Sequence, residues 1–305
     1  MTRFGIYLPN VGWNVLPTPS DLIEFAVTAE QLGFDSVWVE DRFLHPRVGI
    51  LESLTTLSYV AAHTQRVRLG TSILLVNLRN PLVVAKTLAT LDYLSSGRVV
   101  LGASLGGSQE EYSASGIAIR TRVTRFEETV KMLRVLWKET PFEGDASLFS
   151  PVEIPMNPGP VQSHIPIWIG GRAEPVLRRV ANMGDGWLAS SGISAEDFAR
   201  DWSKIQDYAA VAGRDGSELE AARFTYIHVD DNPEKAIEIL QERLSRYYPS
   251  YDVSRLALYG PPSWCVERAR TFLDAGVRTL IFATVADDKV QMERIAQEVL
   301  PALMS

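Results

Sequence analysis

The chain has 305 residues, 46% of them hydrophobic and 22% charged, and a formal net charge of −7 at pH 7. That balance supports a large buried core and argues against a broadly basic surface for nucleic acid or an anionic membrane, although a local basic pocket stays open. A lone cysteine, Cys265, excludes an internal disulfide, and His45, His63, His164 and His228 are too scattered for a metal site, so no metal is expected. No stretch approaches the roughly 18 apolar residues that span a bilayer. Met1 runs directly into Arg3-Phe4-Gly5-Ile6-Tyr7 with no signal-like segment, so a cytoplasmic address is expected.

Short apolar runs alternate with amphipathic stretches along the chain. The runs are Phe4–Leu8, Ser36–Val39, Val67–Leu75, Val99–Ala103, Pro166–Ile169, Gly186–Ala189, Phe224–Val229 and Thr279–Ala283. Rich in Val, Ile and aromatics with little polar alternation, they read as strands buried on both faces of a parallel sheet. The helices between them carry recognisable starts. Thr18-Pro19-Ser20-Asp21 supplies a capping hydroxyl, a proline at the first helical position and an early carboxylate, and Gly33 ends that helix. Similar starts occur at Thr124–Glu127, Ser194–Asp197 and Asp231-Asn232-Pro233. Alternation repeated eight times predicts a single (β/α)₈ TIM-barrel domain over 1–305, with an open doubly wound sheet as the competitor. Residues 140–165, rich in Pro and Gly, read as an insertion of the lid or binding-loop kind, and 247–262 as a second irregular segment, both assigned to the C-terminal face.

In such barrels the chemistry sits at the carboxyl ends of the strands. There the sequence places Asn10; Glu40, Asp41 and Arg42; Thr71 and Ser72; Ser104 to Gly107; Gly170 to Arg172; Ser190 and Ser191; His228; and Thr284. In Trp168-Ile169-Gly170-Gly171-Arg172 a strand ends in two glycines and a helix follows at once. This suits a phosphate cradle of main-chain N–H groups with an arginine fork beside it; a tight turn that merely needs glycine gives the same pattern. Asp41 and Arg42 are candidate substrate-facing groups, or an ion pair that orders the loop. Glu110 and Glu111 suit a general acid or base if burial raises them, or else partners for Arg122 or Arg125. Single histidines are more often structural, though His228 stands at a strand end. Trp38, Trp168 and Trp187 read as core. No Gly-x-Ser-x-Gly elbow, Walker A motif or Gly-x-Gly-x-x-Gly fingerprint is present.

Several stretches, in order, resemble the luciferase-like family of flavin- and deazaflavin-dependent enzymes. They are AEQLGFDSVWVEDR (29–42), residues 54–102 ending in SGRVVLG, EEYSASG (110–116), RFEETVKMLRVLW (125–137), PIWIGG (166–171), GDGW (184–187) and the tail 260–283. The resemblance implies an oxidoreductase that binds coenzyme F420 or FMN, the segment LGTSI with SGRVVLG favouring F420. It implies a bulge at Thr71-Ser72-Ile73, often with a non-prolyl cis peptide, that supports the tricyclic ring. Ser104, Leu105 and Gly106 would flank the ring, and Gly170, Gly171 and Arg172 would hold the cofactor phosphate. Asp41, Arg42 and Glu110 remain the catalytic candidates. A homodimer through the helices after strands two and three and a small-molecule substrate are also implied.

The departures from the family carry information too. Luciferase's histidine pair is replaced by Glu40-Asp41-Arg42. The catalytic His of the deazaflavin-linked sugar-phosphate dehydrogenases aligns with Arg42, their Glu near Gly107 and their phosphate-binding Lys near Ile193. These disfavour light emission and sugar-phosphate oxidation. The resulting expectation is hydride transfer with F420, or monooxygenation with reduced FMN. The rivals are a non-catalytic flavin-binding protein and a barrel hydrolase using Asp41 with Glu110 or Glu111.

Overall fold

In the computed structural model, which describes residues 2–13, 15–138, 156–286 and 288–304, all eight apolar runs form strands. They are β1 (Arg3–Tyr7), β2 (Ser36–Val39), β3 (Arg68–Thr71), β4 (Val99–Ala103), β5 (Ile167–Gly170), β6 (Gly186–Ala189), β7 (Glu220–Val229) and β8 (Thr279–Ala283). Every pairing among them is parallel, β1 touches both β2 and β8, and β7 touches both β6 and β8, so the sheet closes into a barrel. Helices between the strands cover the outside, which is why the strands lack polar alternation. A further strand, Leu258–Gly260, adds to the end of β7 in the segment the sequence left irregular.

The helix starts follow the sequence signals. Thr18 and Asp21 form a reciprocal capping box at Pro19–Gln31, Ser194 caps Ala195–Val211, and Asn232 caps Pro233–Tyr247. Two strand bounds differ. β7 starts at Glu220, four residues early, because Glu220-Ala221-Ala222-Arg223 lies against β6 and pairing overrides its weak strand propensity. The third run stops being strand at Thr71. Leu74 then bridges to Ala103, so Ser72 and Ile73 bulge out of the ladder, and the peptide between them is cis.

Below the mouth the barrel is filled. Trp38 of β2 stacks on Trp168 of β5 with ring centroids 5.2 Å apart. Glycines opposite make the room: a Cβ at Gly70 would lie 2.2 Å from the Trp38 ring and one at Gly5 2.6 Å from its indole nitrogen. Trp187 is also buried, stacked on Phe198 at 4.7 Å.

Most of the predicted insertion, residues 139–155, lies outside the described residues. Its described end is tied to the strand-entry side of the barrel. The main chain of Val161 and Gln162 donates to Asp92, and the Gln162 amide donates to the carbonyl of Val99, the first residue of β4. Val161 and Gln162 therefore stand at the strand-entry side rather than at the mouth.

Candidate active site at the barrel mouth

A cavity of about 330 Å³ opens at the carboxyl ends of the strands. Its floor is the bulge Ser72–Ile73. Gly106 and Gly107 stand on one side, Ser190 to Gly192 on another, and Tyr7, Phe224, Tyr248 and Tyr251 form an aromatic wall. Glu40, Asp41 and Arg42, leaving β2, complete the lining.

Of the residues predicted for a cofactor, Ser72, Ile73 and Gly106 line the cavity directly. Tyr7 fixes the bulge: its hydroxyl donates to the Ser72 carbonyl at 2.9 Å and also bonds the Ser72 hydroxyl. Gly170 and Ser104 lie just beneath, since a Cβ on Gly170 would sit 3.1 Å from Ile73 Cγ2 and 3.5 Å from Ser104 Cβ. Thr71 turns its hydroxyl to the Gly102 carbonyl at 2.8 Å, and Leu105 offers its carbonyl to the Tyr112 hydroxyl at 2.7 Å. These two shape the site from behind. Gly171 has φ +125°, a conformation that excludes most side chains, and its carbonyl accepts from the Trp187 indole at 2.6 Å. Arg172 donates to the Gly192 carbonyl at 3.1 Å, joining the glycine turn to the cavity rim. The helix that follows, Glu174–Met183, has no side-chain cap, and Glu174 leans away onto Lys204 and Tyr208. In its first turn Pro175 has no N–H and the Val176 N–H donates to the Ala173 carbonyl at 2.7 Å, which leaves the Glu174 N–H for an anion.

The predicted catalytic residues separate. Asp41 is buried, but its partner is Arg79 rather than Arg42. Both guanidinium Nη atoms grip it, and Leu75 N–H and the Ser53 hydroxyl complete its bonding. It holds the loop. Arg42 faces the cavity and pairs at 3.6 Å with buried Glu111, not with its neighbour in sequence. Glu111 also accepts from the N–H groups of Phe43, Leu44 and Ser108. Burial raises its carboxyl, but the donors of Ser108, Leu44 and Phe43 and the Arg42 charge outweigh that and hold it below the ordinary range. Neither Arg122 nor Arg125 is its ion-pair partner. Glu110 corrects the sequence expectation. It is exposed on the short helix Gln109–Ala114 and outside the cavity lining. Hydrogen bonds at the helix start, from its own N–H and then the Ser108 hydroxyl, lower its carboxyl rather than raise it. His228 is buried in β7 and does not line the cavity.

Sequence reasoning placed Glu40 at a strand end and went no further. Asn10 fixes its main chain, donating to the Glu40 carbonyl at 2.8 Å and accepting from its N–H at 3.1 Å. The side chain meets the hydroxyl of Tyr247, from a helix 207 residues away in sequence. Tyr7, Tyr226 and Tyr248 surround it, their own phenols pushed up chiefly by burial and partly by the Glu40 charge. Burial also pushes the Glu40 carboxyl up, to about 7, against the Tyr247 hydrogen bond and the Arg42 charge, with Asp41 adding a little upward. A carboxyl titrating near neutrality beside a cavity is suited to move a proton. The rival arrangement, two carboxylates sharing one pocket for hydrolysis, is not formed by Asp41 with Glu110 or Glu111.

Comparison with known proteins agrees with this architecture. Residues 2–260 match the luciferase-like monooxygenase family. The F420-dependent glucose-6-phosphate dehydrogenase of Amycolatopsis mediterranei is 29% identical, covering 93% of this chain and 95% of that protein. The enzyme of the same name from Nakamurella multipartita is 30% identical over 93% of each. Among solved structures, an F420-dependent secondary alcohol dehydrogenase bound to an F420–acetone adduct superposes with TM-score 0.86 at 23% identity over 99% of both chains. The monooxygenase RslO1 from Streptomyces bottropensis superposes with TM-score 0.83 at 25% identity, again over 99% of both. The chain is an oxidoreductase of the luciferase-like monooxygenase family.

Proposed function

We propose that this oxidoreductase uses coenzyme F420 to transfer hydride to or from a small, largely apolar carbonyl or alcohol substrate. The observation that carries the reading is the cavity itself, floored by the Ser72–Ile73 bulge, flanked by glycine and serine, and bordered by Glu40. Small residues on two sides leave a slot for a planar ring. Gly106 is also packed closely, since a Cβ there would lie 2.4 Å from Cδ2 of Leu75, another side chain of the lining. When bound, the deazaflavin supplies a two-electron hydride donor or acceptor.

The chain's own residues do the rest. Ile73 and Gly106 orient the ring, with Ser104 and Gly170 supporting them from beneath. Gly171, the open helix start at 174 and Arg172 receive the acidic tail. Tyr7, Phe224, Tyr248 and Tyr251 exclude water and pack the substrate body. Glu40 gives a proton to the substrate oxygen in reduction and takes it in oxidation. Arg42 stands at the substrate side, while Asp41 acts as a positioning residue.

The relatives named for glucose 6-phosphate motivate a sugar-phosphate alternative, yet the cavity supports an uncharged substrate better. Among the described residues Arg42 is the one cation in its lining, and it is paired with Glu111. Ile193, where those dehydrogenases' phosphate-binding lysine was expected, is a buried apolar residue.

We further propose a cytoplasmic homodimer. Tyr59, Leu82, Val83, Tyr93 and Leu94 are exposed on the helices after β2 and β3, supporting association through that face. The lone Cys265 is buried. No helix among the described residues is long and apolar enough to cross a membrane.

Ultraviolet–visible titration with F420 and with FMN tests the cofactor. Perturbed absorption and micromolar binding of F420 is expected. Binding of FMN alone would move the reaction to monooxygenation, and binding of neither would overturn the reading.

A further inference from the structure

Glu40 lies on a wall shared by two voids. Tyr7, Glu40 and Phe224 border the main cavity, and the same three border a smaller space of about 20 Å³ behind it. The far side of that space is formed by Trp13, Thr284 and Asp288. Trp13 and Asp288 in turn form the inner wall of a third cavity, of about 360 Å³, rimmed by the exposed side chains of Asp21, Glu24 and Lys289. Three spaces thus lie in series from the Glu40 carboxyl to the surface, on the β1/β8 side of the barrel. The middle one has room for a single water molecule. At its far wall the Thr284 hydroxyl already donates to Asp288 Oδ1 at 2.6 Å.

Across the mouth the hydroxyl bonded to Glu40 is that of half-buried Tyr247. A ring on the bulge with a substrate against the tyrosines would fill the main cavity. The groups facing Glu40 on that side are ill suited to refill it. Asp41 is locked by Arg79, and Arg42 is a permanent cation held by Glu111. Tyr7 is committed to Ser72, Tyr226 is buried, and the half-buried Tyr247 holds its hydroxyl on Glu40.

We propose that Glu40 exchanges its proton with solvent through this one-water space and the Thr284–Asp288 pair, by a route separate from the cavity mouth. The proposal rests on Glu40 being the proton partner of hydride transfer. In reduction, a bound reduced deazaflavin would supply the hydride, with its two electrons, for the new C–H bond at the carbonyl carbon. The C=O π pair takes the Glu40 proton and becomes an alcohol O–H. The carboxylate left behind is reprotonated once solvent has protonated Asp288: the Asp288 O–H donates to the Thr284 oxygen, Thr284 turns its own hydrogen from Asp288 to the water, and the water passes a proton to Glu40. One proton enters for each hydride spent, and oxidation runs every transfer in reverse.

Infrared spectroscopy of the full-length protein in D₂O reads this exchange without turnover. The carboxyl band lost in Glu40→Gln identifies the group, and its H-to-D shift after mixing gives the rate, with oxidised F420 bound and without. With F420 bound, Thr284→Val and Asp288→Asn are each expected to slow that shift by about tenfold or more. Thr284→Val preserves volume and keeps the test valid should Asp288→Asn weaken the C-terminal helix. Wild-type rates in both variants would overturn the route while leaving Glu40 as the proton partner. No carboxyl band lost in Glu40→Gln would overturn the underlying assignment, and the route with it.

Discussion

Arg79 grips Asp41 with two parallel hydrogen bonds, Nη1 to Oδ2 at 2.7 Å and Nη2 to Oδ1 at 2.9 Å. The aspartate is buried, and Leu75, whose N–H it also accepts, lies in the cavity wall. Arg79→Met would strand the carboxylate and is expected to cost about 3–5 kcal/mol of stability in urea unfolding. An unchanged midpoint with abolished turnover would return Asp41 to the chemistry.

The titration of Glu40 sets the sign of two pH effects. Its carboxyl lies at about 7 in the fold against 4.5 in the open chain. Between those values the folded protein holds the extra proton, so stability present at low pH is lost as pH rises through 7. Glu40→Gln, which cannot ionise, should therefore gain on the wild type by at most about 3 kcal/mol above neutrality relative to acid. Thermal melts across pH read this. In activity, carbonyl reduction should fall above about 7 and alcohol oxidation should rise there, and both steps should vanish in Glu40→Gln.

Gly102 supports the bulge from β4. A Cβ there would lie 2.0 Å from the Thr71 carbonyl oxygen and 2.8 Å from Leu188 Cδ2. The carbonyl is main chain and cannot swing aside. Gly102→Ala is expected to cost about 1–3 kcal/mol or more and to weaken F420 binding by displacing Ser72. Calorimetric melting and the absorption titration measure the two effects. A variant that binds F420 normally would separate the bulge from the ring.

Arg223 is fully buried and pinned through Nη2 to the carbonyls of Ser191, Ile193 and Leu256, with its guanidinium 3.6 Å from the Phe272 ring centroid. Burial presses its pKa down to about 9. Its donors, with Arg172, hold the rim 191–193 in place. Arg223→Met removes a costly buried charge but frees three carbonyls. Amide exchange at 191–194 should accelerate about tenfold or more while the strands stay protected. Unchanged exchange there would dismiss the arginine as a rim support.

The fold was legible because closed parallel strands bury both faces, and Val99–Ala103 or Thr279–Ala283 can be nothing but apolar. The bulge at Ser72–Ile73 was reached through family resemblance, since Val67–Leu75 reads as one unbroken run. Glu40 could be placed but not understood. Its raised pKa comes from burial, against the Tyr247 hydrogen bond, and Tyr247 and Tyr248 beside it stand in a stretch with no periodic signal. Asp41 beside Arg42 suggests a pair, yet the loop turns them apart, towards Arg79 and Glu111. Local spacing carries no information about such distant partners.

The indoles stacked at the centre of the cylinder leave the molecule no depth to spare. Gly5 and Gly70 cannot acquire side chains while Trp38 stays where it is, so this girdle changes all together or not at all. New specificity must then arise by altering the border around 42–48 and 247–251, above a plug that packing holds fixed. Libraries confined to that border should return folded, cofactor-competent variants, whereas diversity seeded in the girdle should return mostly insoluble protein.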